Sequence, residues 1–134
     1  MSIATSNTAT RVTTLTSEQE TDQRTALWTS LVAELRSKLS AMEAAGQLPK
    51  TGINEPLLHE LSMTVGDGFI SVWLNADTGK GSWNAITKHL DMAEPWFLTP
   101  EGVFQIDGET MNLSAAAERF IAKVSGNWIG PAAI

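Results

Sequence analysis

Residues 99–128 read TPEGVFQIDGETMNLSAAAERFIAKVSGNW, and their turns, cap and apolar spacing decide the fold class. Trp96 to Leu98, just upstream, reads as a strand. Thr99-Pro100-Glu101-Gly102 reads as a turn with proline where its fixed φ fits, and Val103 to Ile106 as the returning strand. Asp107-Gly108 is a type I′ hairpin signal, because that turn needs positive φ at both central residues, so Glu109 to Asn112 folds back on Val103 to Ile106. Ser114 reads as the cap of a helix that turns Ala116, Phe120, Ile121 and Val124 inward and stops at Gly126. The segment is therefore a three-strand meander feeding a helix. Asn127 and Trp128 follow that stop, where neither cap nor apolar stripe requires them, and are candidate binding residues.

Upstream, Leu61, Met63 and Val65 alternate with Ser62 and Thr64 until Gly66-Asp67-Gly68 interrupts, a strand and turn. The next strand, Phe69 to Leu74, is apolar apart from Ser71 and is expected to be central, with both faces covered. Pro56 and Leu57 to Leu61 have a second reading as a short helix capped by Asn54.

Asn75 to Ser82, NADTGKGS, has the look of a phosphate loop. A P-loop needs G-x-x-x-x-G-K followed directly by Ser or Thr, so that lysine and hydroxyl reach phosphate and magnesium together. Gly81 follows Lys80 and Leu74 stands where the first glycine belongs, so a glycine-rich turn leaving a strand is the better reading. Lys80 and Ser82 remain candidate binding residues for an anion on this loop. Ser82 is expected to cap a short helix through Trp83, Ile86 and Leu90 ended by Pro95, with a strand from Ser82 to Thr87 as the alternative.

The N-terminal part supplies a long helix from Glu18 to Ala45. Ser17 and Glu20 form an S-x-x-E capping box. Trp28, Leu31, Val32, Leu35, Leu39 and Met42 fall at spacings of three and four along one side. Gly46 closes the helix and Pro49 prevents its renewal. The stripe is expected to cover the protein's own sheet, with homodimerisation through the helix as the second reading. Residues 1–16 are Ser/Thr-rich, nearly free of large apolar groups, and read as a flexible arm. Residues 17–134 read as one α+β domain.

Composition narrows the function classes. The chain has 134 residues, 43% apolar and 18% charged, which suits one globular core. With no cysteine there is no disulfide framework, thiolate metal site or thiol nucleophile. No run approaches the roughly 18 apolar residues of a membrane span, and the N-terminus has no apolar signal core, so no membrane association and a cytoplasmic location are expected. Net charge is −6, and the nine cations are scattered from Arg11 to Lys123, which disfavours direct nucleic-acid binding. His59 and His89 stand thirty residues apart, outside helical ligand spacing, so no metal site is expected. Asp91 and Glu94 near His89 read as a solvated face, and no serine stands in a nucleophile elbow. No catalytic residue and no cofactor are expected.

Tryptophan occurs five times, beside four phenylalanines and no tyrosine. Trp28 and Trp73 sit on apolar patterns and are expected in the core. Trp83 and Trp128 have less apolar surroundings and are the candidates for a pocket or interface.

The order DG-E-x-x-x-L-S-A-A-A from Asp107 to Ala117, followed by Ser125-Gly126-Asn127-Trp128, resembles the end of RAMA-type domains, found beside DNA methylases and restriction enzymes. The resemblance covers about the last quarter of the chain and implies a role in nucleic-acid modification systems. Leu113 stands where that family has proline, and the N-G-W element lacks its glycine. In its helix, sheet, helix order the chain also resembles frataxin-like domains, without an acidic ridge in the first helix.

The expected architecture is an α+β sandwich, a mostly antiparallel sheet of about five strands with the N-terminal and C-terminal helices on one face. The expected function is that of a small acidic, non-enzymatic interaction or accessory subunit with a protein partner. The alternatives are a nucleic-acid-associated module or acidic nucleic-acid mimic in defence or counter-defence, and a small-molecule binder using Lys80, Ser82, Trp83 and His89.

Overall fold

The first helix is set by its two ends. The side chain of Thr16 accepts the Gln19 amide at 3.0 Å, and the Gln19 side chain accepts the Thr16 amide at 3.0 Å. This capping box lies one residue earlier than the Ser17–Glu20 pair, because TSEQ and SEQE both satisfy the pattern and the helix takes the upstream one. Helix α1 runs over Ser17–Ala44. It ends in a Schellman motif: Gly46 has φ +75°, its amide donates to Glu43 O, and the Gln47 amide donates to Met42 O.

A computed structural model describes residues 15–88 and 90–132, with side chains of the last helix described as far as Ser125. Most of the arm read over residues 1–16 therefore lies outside the described residues. After α1 come β1 (Thr51–Leu57), β2 (Glu60–Val65), β3 (Gly68–Leu74), β4 (Lys80–Ile86), β5 (Asp91–Leu98), β6 (Phe104–Ile106) and β7 (Glu109–Met111), then α2 (Leu113–Ala132). The seven strands form one antiparallel sheet in sequence order, each paired with its chain neighbour. The expected α+β class and antiparallel sheet are present, with seven strands where about five were expected from turn and alternation signals.

The two additional strands are β1 and β4. The Pro56–Leu61 region is not helical: β1 continues to Leu57 through a bulge between Asn54 and Leu57 and turns at Leu58-His59. β4 stands where a helix from Ser82 was expected, and agrees with the alternative reading of a strand from Ser82 to Thr87. Trp83 and Ile86 are three apart and suit a helix, but Gly81, Trp83 and Ala85 are buried while Lys80, Ser82, Asn84 and Ile86 are exposed. That is period two, and ladders with β3 and β5 satisfy its backbone.

The C-terminal meander follows the sequence closely. Asp107 and Gly108 both have positive φ, +58° and +77°, as a type I′ turn requires. Asn112 rather than Ser114 caps α2, its Oδ1 accepting the Ala115 amide at 2.9 Å. Asparagine is as good a cap as serine, and it lies directly after β7. Nor does α2 stop at Gly126: it extends to Ala132. A glycine inside a helix costs about 1 kcal/mol relative to alanine and does not by itself end one.

Both helices cover one sheet face. Trp28, Leu31, Val32, Leu35 and Leu39 of α1, and Ala116, Ala117, Phe120, Ile121 and Val124 of α2, bury against Leu61, Met63, Val65, Ile70, Val72, Leu74, Trp83, Ala85, Trp96, Leu98, Phe104 and Ile106. The α1 stripe is thus occupied within the chain, and a second helix could pair with it only by displacing the sheet. Trp96 stacks on Phe104 at 6.0 Å and meets Phe120 edge-on at 5.5 Å.

The free edge of β1 is shielded by α1. Gly66 N donates to Lys50 O, which fixes the ladder so that Thr51 and Ile53 turn their backbone groups away from β2. Glu43 accepts the Thr51 amide at 2.8 Å and its hydroxyl at 2.6 Å, and Arg36 donates to Ile53 O at 3.4 Å. The hydroxyl bond, then the amide bond, holds the Glu43 carboxyl below the ordinary glutamate value. Outward-facing strand groups are thus engaged by helix side chains, one of the ways proteins block edge-to-edge pairing.

Candidate functional site

Among the described residues no layer covers the face of the sheet opposite the helices. Strand periodicity arranges it in four cross-strand rows. One runs Gly52, Thr64, Phe69, Ile86, Asp91, and the next Asn54, Ser62, Ser71, Asn84, Ala93. A third runs Leu57, Glu60, Trp73, Ser82, Pro95, and the last Lys80, Phe97, Gln105, Thr110. Three of the rows carry a single charge each, Asp91, Glu60 or Lys80, and the Asn54–Ala93 row carries none. Large apolar groups stand open here: Phe69 at 38%, Trp73 at 44% and Ile86 at 46% exposure. Phe69–Leu74 is therefore central in the sheet yet covered on one face only, and Trp73 is not a core residue.

At one end this face runs into a cleft of about 430 Å³ between the start of α1, the β1–β2 turn and the β3–β4 turn. Leu58 and Trp73 form its apolar side, Leu74 and Ala76 are also apolar, and Thr21, His59, Asn75 and Asp77 bring polar groups. Leu57 and Leu58 at the turn are 66% and 85% exposed. His59 adopts φ +59°, a conformation uncommon for residues other than glycine. Its ring meets Trp28 edge-on at 6.1 Å, its Nε2 lies 3.5 Å from Thr25 Oγ1, and its carbonyl accepts the Leu74 amide.

The β3–β4 turn is held from beneath by Arg24, which is only 5% exposed. Its Nε donates to Leu98 O at 2.8 Å and one terminal nitrogen to Ala76 O and Asp77 O, each at 3.2 Å. No carboxylate pairs with it among the described residues. Thr21 donates its hydroxyl to Asp77 Oδ1 at 3.0 Å. Helix α1 thus fixes both the backbone and the carboxylate of the turn. Arg24 escaped the sequence reading because a lone arginine at the margin of an apolar stripe looks like a solvated residue. The only available hint was its place one turn before Trp28, on the buried side.

The turn itself does not present a phosphate cradle. Asn75 Oδ1 accepts the amides of Asp77 and Thr78, Thr78 Oγ1 accepts that of Lys80, and the Gly79 amide donates to Asn75 O. The two glycines have steric roles instead. A Cβ on Gly79 would strike Leu98 O and Arg24, and one on Gly81 would lie 2.5 Å from both Trp73 O and the Trp96 ring.

The sequence-derived candidates separate. Lys80 and Ser82 lie on the open face, and Ser82 O accepts Trp96 Nε1 at 3.2 Å. Trp83, the next residue, points the opposite way and is 2% exposed in the core, so it cannot share a pocket with them. Its ring lies 4.1 Å beneath Lys123 Nζ, which also pairs with Asp107 at 2.8 Å. Burial raises the Asp107 carboxyl, but hydrogen bonds from Lys123 and Arg119 outweigh it and leave the group below its ordinary value. Asn127 and Trp128 lie within the span of α2 rather than beyond it, and their side chains, like the whole of His89, fall outside the described residues. Among the described residues no group of three or more His, Asp or Glu could hold a metal ion, and no helix is long and apolar enough to cross a membrane.

No protein-family model matches the chain, and neither a curated protein nor a solved structure matches it.

Proposed function

We propose that the chain is a non-enzymatic interaction subunit that engages a protein partner through the uncovered sheet face. One observation carries this reading: Phe69, Trp73 and Ile86 stand open on a face whose Asn54–Ala93 row is uncharged. Exposed apolar groups of this size, set among small hydroxyl and amide side chains, match the make-up of an interface core bounded by polar residues. Trp73 is the natural anchor, since tryptophan is over-represented among residues that dominate binding energy. The acidic-mimic alternative gains no support from this face, where Asp91 and Glu60 stand singly in separate rows rather than in a phosphate-like series.

Affinity capture from native lysate tests the proposal by comparing the unaltered chain with a Phe69→Ser/Trp73→Ser variant. Both positions are open, so the variant keeps its core and its circular dichroism spectrum. A stoichiometric partner retained by the first and lost by the second is the expected result. Equal retention by both would remove the sheet face from the interaction.

A further inference from the structure

We infer that the cleft between α1, the β1–β2 turn and the β3–β4 turn receives a cationic side chain, lysine or arginine, projecting from the protein partner. This rests on the reading above that the uncovered face binds a protein, because the cleft opens at the end of that face and shares Trp73 with it.

The cleft has two chemistries side by side. Leu58, 85% exposed, and Trp73, 44% exposed, offer apolar surface suited to the methylene stem of a long side chain. The indole face adds attraction for a cation. On the polar side Asp77 receives the Thr21 hydroxyl on Oδ1, while Oδ2 has no partner among the described residues. Glu60 stands directly across the ladder from Trp73 and forms no ion pair among the described residues. The Asp77 carboxylate therefore lines a partly apolar slot, with Glu60 on the neighbouring strand outside the lining, and the slot is held open by contacts made within the fold. Arg24 fixes the backbone of the Asp77 turn, and His59 is braced against Thr25 and Trp28. The nearby guanidinium of Arg24 is buried and directed at the carbonyls of Leu98, Ala76 and Asp77.

Charge decides among occupants. A second copy of this chain, net charge −6, would bring the same carboxylates against themselves across a two-fold contact. Nucleic acid and anionic lipid are repelled for the same reason. A purely apolar side chain would leave Asp77 desolvated without compensation. An aliphatic stem ending in a positive charge satisfies both halves of the slot.

Nitrogen-15 NMR titration with n-butylguanidinium chloride as the probe, against n-butanol as its uncharged counterpart, tests this. The expected result is saturable shifts confined to the Trp73 indole and the Thr21, His59 and Asn75–Asp77 amides, seen with butylguanidinium and not with butanol. Asp77→Asn, which keeps the Thr21 acceptor, should weaken binding by about threefold to fivefold, and Leu58→Ser should weaken it comparably. Shifts scattered over the acidic surface, equal shifts with butanol, or unchanged affinity in Asp77→Asn would overturn the inference. If butylguanidinium fails while lysate capture still depends on Phe69 and Trp73, only the cationic occupant is lost. If butylguanidinium binds but capture does not depend on the face, the protein-binding reading falls instead.

Discussion

Arg24 Nε, in the second turn of α1, donates to the carbonyl oxygen of Leu98 at the end of β5, 2.8 Å away and buried. The same guanidinium reaches Ala76 O and Asp77 O, so one side chain joins the first helix, the β3–β4 turn and the fifth strand. Arg24→Met would fill similar space but leave three carbonyls without this donor. A loss of about 3 kcal/mol in urea unfolding is expected, with Arg24→Lys recovering only part, because an ammonium lacks the planar fork. A loss below about 1 kcal/mol would mean that water replaces the guanidinium at little cost.

Asp107 predicts a pH dependence. Its folded-state pKa is lowered, so its contribution is complete above the unfolded-state value near 3.8 and disappears as pH falls through the lower folded value. Asp107→Asn keeps a residue that tolerates positive φ beside Gly108, so it preserves the turn while removing the charge. The variant should be less stable at neutral pH by about 1 kcal/mol. Denaturation at stepped pH should show the two proteins converging only in acid; a gap that persists below the folded value would point to the turn rather than the ion pairs.

Gly81 and Gly108 separate two reasons for glycine. Gly81→Ala drives a methyl group into Trp73 O and the Trp96 indole, with a cost of about 2–3 kcal/mol and a change in tryptophan emission. Gly108→Ala meets nothing within 4 Å, and only its φ of +77° opposes it, at about 1–2 kcal/mol. Thermal unfolding should rank Gly81→Ala below Gly108→Ala, and the reverse order would place the Trp96 ring elsewhere.

Glu43 predicts what guards the sheet edge. Glu43→Ala releases the Thr51 amide and hydroxyl, and hydrogen exchange at Thr51 should accelerate while the interior of β3 is unaffected. Because the Glu43 pKa is lowered, acidification through that value should loosen the same amide in the unaltered chain. Sedimentation velocity should detect more self-association in Glu43→Ala as concentration rises, whereas an unchanged distribution would show that Pro56 and the bulge protect the edge unaided.

Legibility in the sequence followed the range of the interactions involved. The α1 stripe, the Gly46 stop and the Asp107-Gly108 hairpin are encoded within a few residues of themselves, and each could be read in advance. β4 was legible only as the alternative to a helix, because Trp83 and Ile86 fit two periods and only the ladders with β3 and β5 choose between them. The fate of Trp83 turned on that choice, since a strand sends it into the core beneath Lys123. Trp73, in a segment that reads as a strand, stands outward because its face of the sheet is uncovered among the described residues. The cleft escaped notice because its members, Thr21, Leu58, Trp73 and Asp77, come from four separate segments, and the arginine that braces it bonds to backbone oxygens, which carry no side-chain signature.

The meander also has a kinetic meaning. Every ladder joins neighbours in sequence, so the sheet can zip hairpin by hairpin with short loop closures, and little of its search is long-range. Docking α1 across the finished strands is the long closure, and the Arg24–Leu98 bond, spanning 74 positions, marks it. Weakening that bond should therefore speed unfolding far more than it slows folding. The topology thus predicts that the first helix is the last part of the protein to be fastened and the first to be released.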